Sequence, residues 1–140
     1  MPVSAARVGV LLVTHGKLGH LLVDTITDLI GPLPLETEVL EVRRVQATEV
    51  LLRQGQRMIE RLDSGAGVLM LTDTYGSTPS NIATQLAATP ATEVIAGINL
   101  PMLVRLYNYP QLSLPALAQC AVEGGQRGVV MCPRPKDQKG

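Results

Sequence analysis

Apolar positions along the chain fall into two patterns. Short runs without interruption occur at 8–13 (Val-Gly-Val-Leu-Leu-Val) and 68–71 (Val-Leu-Met-Leu), each ending on polar residues. Such runs predict strands buried on both faces, as in a parallel sheet. They set strand one at about 7–14 and strand three at about 68–72. A fourth strand is expected at about 93–98. Strand two, about 38–45, mixes in Glu41, Arg43 and Arg44, which suits a place nearer the sheet edge. Between these runs, apolar residues recur at helical spacing. Leu18, Leu21, Leu22, Thr25, Ile26 and Leu29 predict one stripe of a helix over 18–30, stopped by Gly31-Pro32. Leu51, Met58, Ile59 and Leu62 predict a second helix over 49–62, with Thr48 as its cap. Thr78-Pro79 opens a third, to about 87. A short helix is expected from Leu100 to about Tyr107, and a last one over 113–123, ending at Gly124-Gly125. Residues 128–132 read as a fifth strand, and 133–140 as a polar, frayed tail.

The order is therefore β-α repeated, with right-handed crossovers. The expected fold class is α/β: a doubly wound, mainly parallel five-stranded sheet with helices on both faces. The fifth strand is open to two pairings, antiparallel within the chain or with another subunit. No repeat or linker interrupts the 140 residues, which are expected to form one domain with an ordered core over 7–132.

Composition narrows the function. The chain has 46% apolar residues but no Trp and no Phe, so the core must be aliphatic. Twelve basic and twelve acidic side chains balance, with three Tyr as the only aromatics. That argues against nucleic acid as a partner and gives no support to a membrane surface. No run reaches the roughly 18 apolar residues of a membrane span, and the start lacks a signal-peptide layout. A cytoplasmic location without membrane insertion is expected. Cys120 and Cys132 form no CxxC pair and read as free thiols.

Candidate chemistry lies where the apolar runs stop. Strand one stops on Thr14-His15-Gly16, strand three on Asp73, strand four on Asn99. Ligands of open α/β sheets bind outside the carboxyl ends of the strands. A carboxylate that accepts from one imidazole N–H fixes the tautomer and leaves the other nitrogen as a nucleophile. His15 and Asp73 are the candidate catalytic pair. Beside them, Gly76-Ser77-Thr78-Pro79 opens a helix, whose first amides and dipole favour an anion. Gly16, Ser77 and Thr78 are the candidate phosphate-binding positions. Tyr75, Tyr107 and Asn99 are candidates for the cleft mouth; the tyrosines fit a core edge as well, and Asn99 fits a plain turn. His20 reads as a solvated surface residue of the first helix. Such a site suits transient phosphoryl transfer, where positioning and charge stabilisation supply most of the catalysis.

The segment Val8-Gly9-Val10-Leu11-Leu12-Val13-Thr14-His15-Gly16 resembles the active-site strand of the EIIA domain of the mannose/fructose/sorbose class of the bacterial phosphotransferase system. Asp73-Thr74-Tyr75-Gly76-Ser77-Thr78-Pro79 is similar to that family's second motif, usually Asp-Leu-Phe-Gly-Gly-Ser-Pro. Gly97-Ile98-Asn99-Leu100-Pro101-Met102 is similar to its third. The spacing agrees, and the likeness covers about 7–130. The resemblance implies a doubly wound homodimer. It implies that His15 takes a phosphoryl group on Nε2 from the phosphocarrier protein HPr and passes it to an EIIB domain or protein. Asp73 would hold Nδ1–H, and Thr78 would supply the hydroxyl that the family draws from Ser. Ser77 stands where the family has Gly and Tyr75 where it has Phe, which bears on partner fit. No cofactor and no metal are implied.

Two other functions share these residues. A regulatory module would use the phosphorylation state of His15 as a signal to a binding partner. A class II chelatase-like enzyme would bind a metal at His15 and would need a second ligand, for which only His20 is available.

Overall fold

In a computed structural model, the described residues are 6–88 and 91–135. The end of the expected tail, 136–140, lies outside them. The elements run β1 (Gly9–His15), α1 (Leu18–Ile30), β2 (Thr37–Val42), α2 (Thr48–Leu62), β3 (Val68–Thr72), α3 (Thr78–Leu86), β4 (Thr92–Ala96), α4 (Leu100–Tyr107) and α5 (Leu114–Arg127). All strand pairs are parallel, in the order β2-β1-β3-β4. The chain steps from β1 outward to β2, then returns to the far side of β1 for β3. The order therefore reverses between β1 and β3.

Alternation along the strands splits the core into two layers. Val10, Leu12, Leu69, Leu71 and Ile95 face α1, α4 and α5. Leu11, Val13, Val68, Met70 and Leu40 face α2 and α3. Side chains of β1 from Val10 to Thr14 and all of β3 are fully covered. This is the double-sided burial that their unbroken apolar runs predict. β2 sits at the edge, as its charges suggest. No helix among the described residues is long and apolar enough to cross a membrane.

Three expectations change. The sheet has four strands, not five: 128–132 forms no strand among the described residues, and Val129, Val130 and Met131 are exposed. The preceding helix does not end at Gly124-Gly125; α5 continues to Arg127, with both glycines buried inside it. A Cβ on Gly124 would collide with the Cβ of Arg105, and one on Gly125 would stand 2.9 Å from Met102 Cε. These glycines let α4 and α5 approach closely, which outweighs their poor helix propensity. The residues left after Arg127 find no ladder partner within the described chain.

The buried face of α1 is also rotated from the expected stripe. Gly19 and Ile26 are buried, with Leu22, Val23 and Ile30 partly so, whereas Leu18, Leu21 and Leu29 are exposed. Gly19 explains the rotation. Its absent Cβ would lie 2.6 Å from both Thr14 Oγ1 and Val39 Cγ1, so α1 rests on the sheet at that point.

Candidate active site

β1 and β3 lie side by side, with Val13 opposite Thr72. Each strand continues into one polar residue at its carboxyl end, His15 and Asp73. Both fall at the reversal of strand order, the crevice where doubly wound sheets hold ligands.

The two side chains meet. Asp73 Oδ2 lies 2.7 Å from His15 Nδ1 and also accepts the His15 backbone N–H at 3.0 Å. Its other oxygen, Oδ1, accepts the Thr74 amide at 3.0 Å. Burial pushes the Asp73 carboxyl up, but the amide and ring of His15, the Thr74 amide and the imidazole's charge together outweigh it. The result lies below the usual carboxylate value. An ionised carboxylate only accepts, so it assigns the ring proton to Nδ1. In the neutral ring Nε2 then carries the lone pair. The His15 side chain is 56% exposed and that of Asp73 only 9%. The carboxylate is covered while the imidazole faces solvent. A carboxylate so placed also stabilises the imidazolium that forms when Nε2 takes an electrophile.

The neighbouring candidates divide. Gly16 adopts φ +49°, and its amide donates to Val42 O at 3.0 Å. That turn carries the chain off β1 directly after the histidine. Ser77 is the N-cap residue of α3, and its hydroxyl donates to the Thr74 carbonyl within the same loop. Thr78 begins α3 and lines a hollow with His15. The Thr78 N–H is one of the first-turn amides that a helix leaves without an internal acceptor, and Pro79 has none to give.

Tyr75 is 87% exposed on the β3–α3 loop. Tyr107 is not at the cleft. It is buried at the far end of α4, where its hydroxyl lies 2.7 Å from Thr37 Oγ1 at the start of β2, the opposite edge of the sheet. Thr37 donates its own proton to Leu35 O, so the phenol is the donor in this pair. Burial pushes the Tyr107 hydroxyl up to about 12. Asn99 caps α4: its Oδ1 accepts the Met102 amide at 2.9 Å and its Nδ2 donates to Gly125 O at 3.1 Å. It lines a separate hollow against α5, away from His15. His20 is exposed, but its Nε2 lies 3.0 Å from Glu41 Oε2 on β2.

Several functional neighbours escaped the sequence reading. Thr14 is buried, and its hydroxyl accepts the Gly19 amide at 2.9 Å, tying the end of β1 to the start of α1. Ser80 Oγ accepts the Gly76 amide at 3.3 Å and so braces the Asp73 loop. The hollow beside His15 holds about 510 Å³ and is also lined by Val42, Arg43, Arg44, Gln46, Thr48 and Leu51. The strand expected over 38–45 includes both arginines. β2 stops at Val42, opposite His15, so both fall in the loop just past its end. The signal available was the pair itself, directly after the last buried position.

The sequence matches the family EIIA-man, described as "PTS system fructose IIA component", over residues 9–119. It is 31% identical over 125 residues to the PTS system mannose-specific EIIAB component of Escherichia coli K12, and equally to that of Shigella flexneri. That alignment covers 87% of this chain but 38% of the relative, so the chain spans well under half the length of these curated proteins. Among solved structures, a mannose/sorbose specific IIA subunit from Enterococcus faecalis superposes with a TM-score of 0.82 at 21% identity, covering 92% of this chain and 97% of that one. An EIIA component from Streptococcus agalactiae gives 0.79 at 19%, covering 89% and 96%. At such identities the structural likeness speaks for the fold.

Proposed function

The chain belongs to the EIIA-man family of phosphotransferase-system IIA components, and from that premise we propose that it is a phosphoryl carrier working through His15. The observation that carries this reading is the 2.7 Å contact between Asp73 and His15 Nδ1, with the imidazole half in solvent. In the forward step Nε2 attacks the phosphorus of phospho-HPr. The donor's N–P bond breaks, a bond to Nε2 forms, and Asp73 balances the charge on the ring. An EIIB domain or protein takes the group in the second step, and His15 returns to its neutral form. Thr78 supplies a hydroxyl and an amide to the phosphoryl oxygens. Gly16 and Ser77 shape the two loops beside them, and Tyr75 on the rim meets the protein partner. A cytoplasmic location goes with this role, and so does use of the phosphorylated state in sugar uptake of the mannose class.

A homodimer belongs to the same proposal. Among the described residues β4 is the end strand of the sheet, beside β3. The exposed apolar segment 128–132 follows α5, and a second copy would cover both features. Sedimentation should give twice the chain mass; a monomer at micromolar concentration contradicts this part.

The activity test uses labelled phosphoenolpyruvate with enzyme I and HPr. Label should enter the wild type as acid-labile phosphate and stay absent from His15→Ala. Equal labelling of both proteins overturns the carrier role.

A further inference from the structure

Two arginines stand on the wall of the His15 hollow, and their charges are not equally available. Arg43 is engaged: its Nε and Nη2 donate to Glu41 Oε1 at 3.1 and 2.8 Å. Glu41 is held below the usual carboxylate range, first by the Arg43 hydrogen bond and, against a smaller burial effect, by the charges of Arg43, His20 and Lys17. Its second oxygen meets His20. The backbone of Arg43 is fixed as well, its amide donating to Gln46 Oε1 at 3.0 Å. Arg44 lines the same hollow and has no ion pair among the described residues. A phosphoryl group brings nearly two negative charges and three acceptor oxygens beside the Asp73 carboxylate. A guanidinium matches such oxygens with two parallel N–H donors.

We propose that Arg44 contacts the phosphoryl oxygens at His15, and that Glu41 holds Arg43 back from that contact. The inference rests on the carrier role of His15. It adds a cationic grip on the anion and a carboxylate that sets its strength. The group transferred and the bonds exchanged are unchanged. Arg44 lowers the energy of the charge that arrives, while Arg43 stays parked on its counter-ion. Replacing Glu41 would release Arg43 and remove the negative charge that Arg43 is paired with, so both changes favour the anion.

The test follows inorganic phosphate binding to the full chain through the His15 ring resonances, at low ionic strength. Arg44→Gln should weaken phosphate roughly tenfold, the scale of one charge-assisted hydrogen bond, and flatten the salt dependence. Arg44→Lys should recover part of the loss. Glu41→Gln should tighten binding severalfold, which removal of a merely structural contact would not do. Arg43→Gln should stay within about twofold of wild type. The proposal is overturned by a wild type that gives no phosphate-dependent shift, by Arg44→Gln binding as wild type does, or by Glu41→Gln binding more weakly. Labelling from phosphoenolpyruvate, run on the same proteins, separates the two claims. An unlabelled wild type removes the carrier role, whereas a labelled wild type with a flat phosphate series removes only the role of Arg44.

Discussion

Replacing Asp73 by Asn tests the tether on His15 with almost no change of shape. The carboxylate accepts at both oxygens: Oδ2 takes the His15 amide and ring, and Oδ1 the Thr74 amide and, at 3.5 Å, the Thr72 hydroxyl. An amide side chain has one oxygen and one NH₂. With its oxygen toward His15, its NH₂ abuts the Thr74 N–H. With its NH₂ toward His15, it abuts the His15 N–H and forces Nδ1 to accept, so the proton moves to Nε2 and the nucleophile is lost. The first orientation trades charge-assisted bonds for neutral ones and leaves a donor unmet, about 1–3 kcal/mol. At 1.36 kcal/mol per decade, that slows phosphoryl transfer roughly 5- to 150-fold. The second stops it almost entirely. Rapid-quench measurement of transfer from phospho-HPr reads the rate, and ¹⁵N shifts of the imidazole read the tautomer. Transfer at the wild-type rate with Nδ1 still protonated would refute the reasoning, because the charge on Asp73 would then be doing nothing.

The same carboxylate predicts an acid limit. Its folded pKa lies below the ordinary 3.8, so its stabilisation is fully present above that value and is lost as pH falls through the folded one; Asp73→Asn should flatten this part of the stability–pH curve. Gly124→Ala should lower stability by up to about 2 kcal/mol in chemical denaturation, since overpacking of about 1–3 kcal/mol against the Arg105 Cβ is set against a propensity gain of about 1 kcal/mol. A more stable variant would contradict the close α4–α5 contact. In ultraviolet titration Tyr107 should ionise near 12, and Tyr107→Phe should remove that step and cost about 1 kcal/mol with the Thr37 bond; a phenol that ionises near 10 in the folded protein would argue against its burial.

What the sequence disclosed follows from how each feature is encoded. β1 and β3 are buried on both faces, so their apolar runs are unbroken and their ends legible. His15 and Asp73 follow those ends directly, which made the pair readable without coordinates. Three features depend on close backbone approach, which apolar periodicity does not encode. Gly19 turns the face of α1, Gly55 admits Leu86 against α2, and Gly124 and Gly125 admit α4 against α5. A glycine inside a helix resembles a stop signal until the neighbour that needs the space is known. Tyr107 looked like a cleft residue because α4 starts at the site edge; its eight residues carry the ring to the opposite edge. Arg43 and Arg44 were legible as charge but not as wall, since that required knowing that β2 ends level with His15.

The account depends most on which nitrogen reacts. ³¹P–¹⁵N correlation on the phosphorylated, ¹⁵N-histidine-labelled protein identifies it directly. The account predicts one phosphorus bonded to Nε2 of His15, with Nδ1 still protonated toward Asp73. Phosphorus on Nδ1 of His15, or on His20, would contradict it.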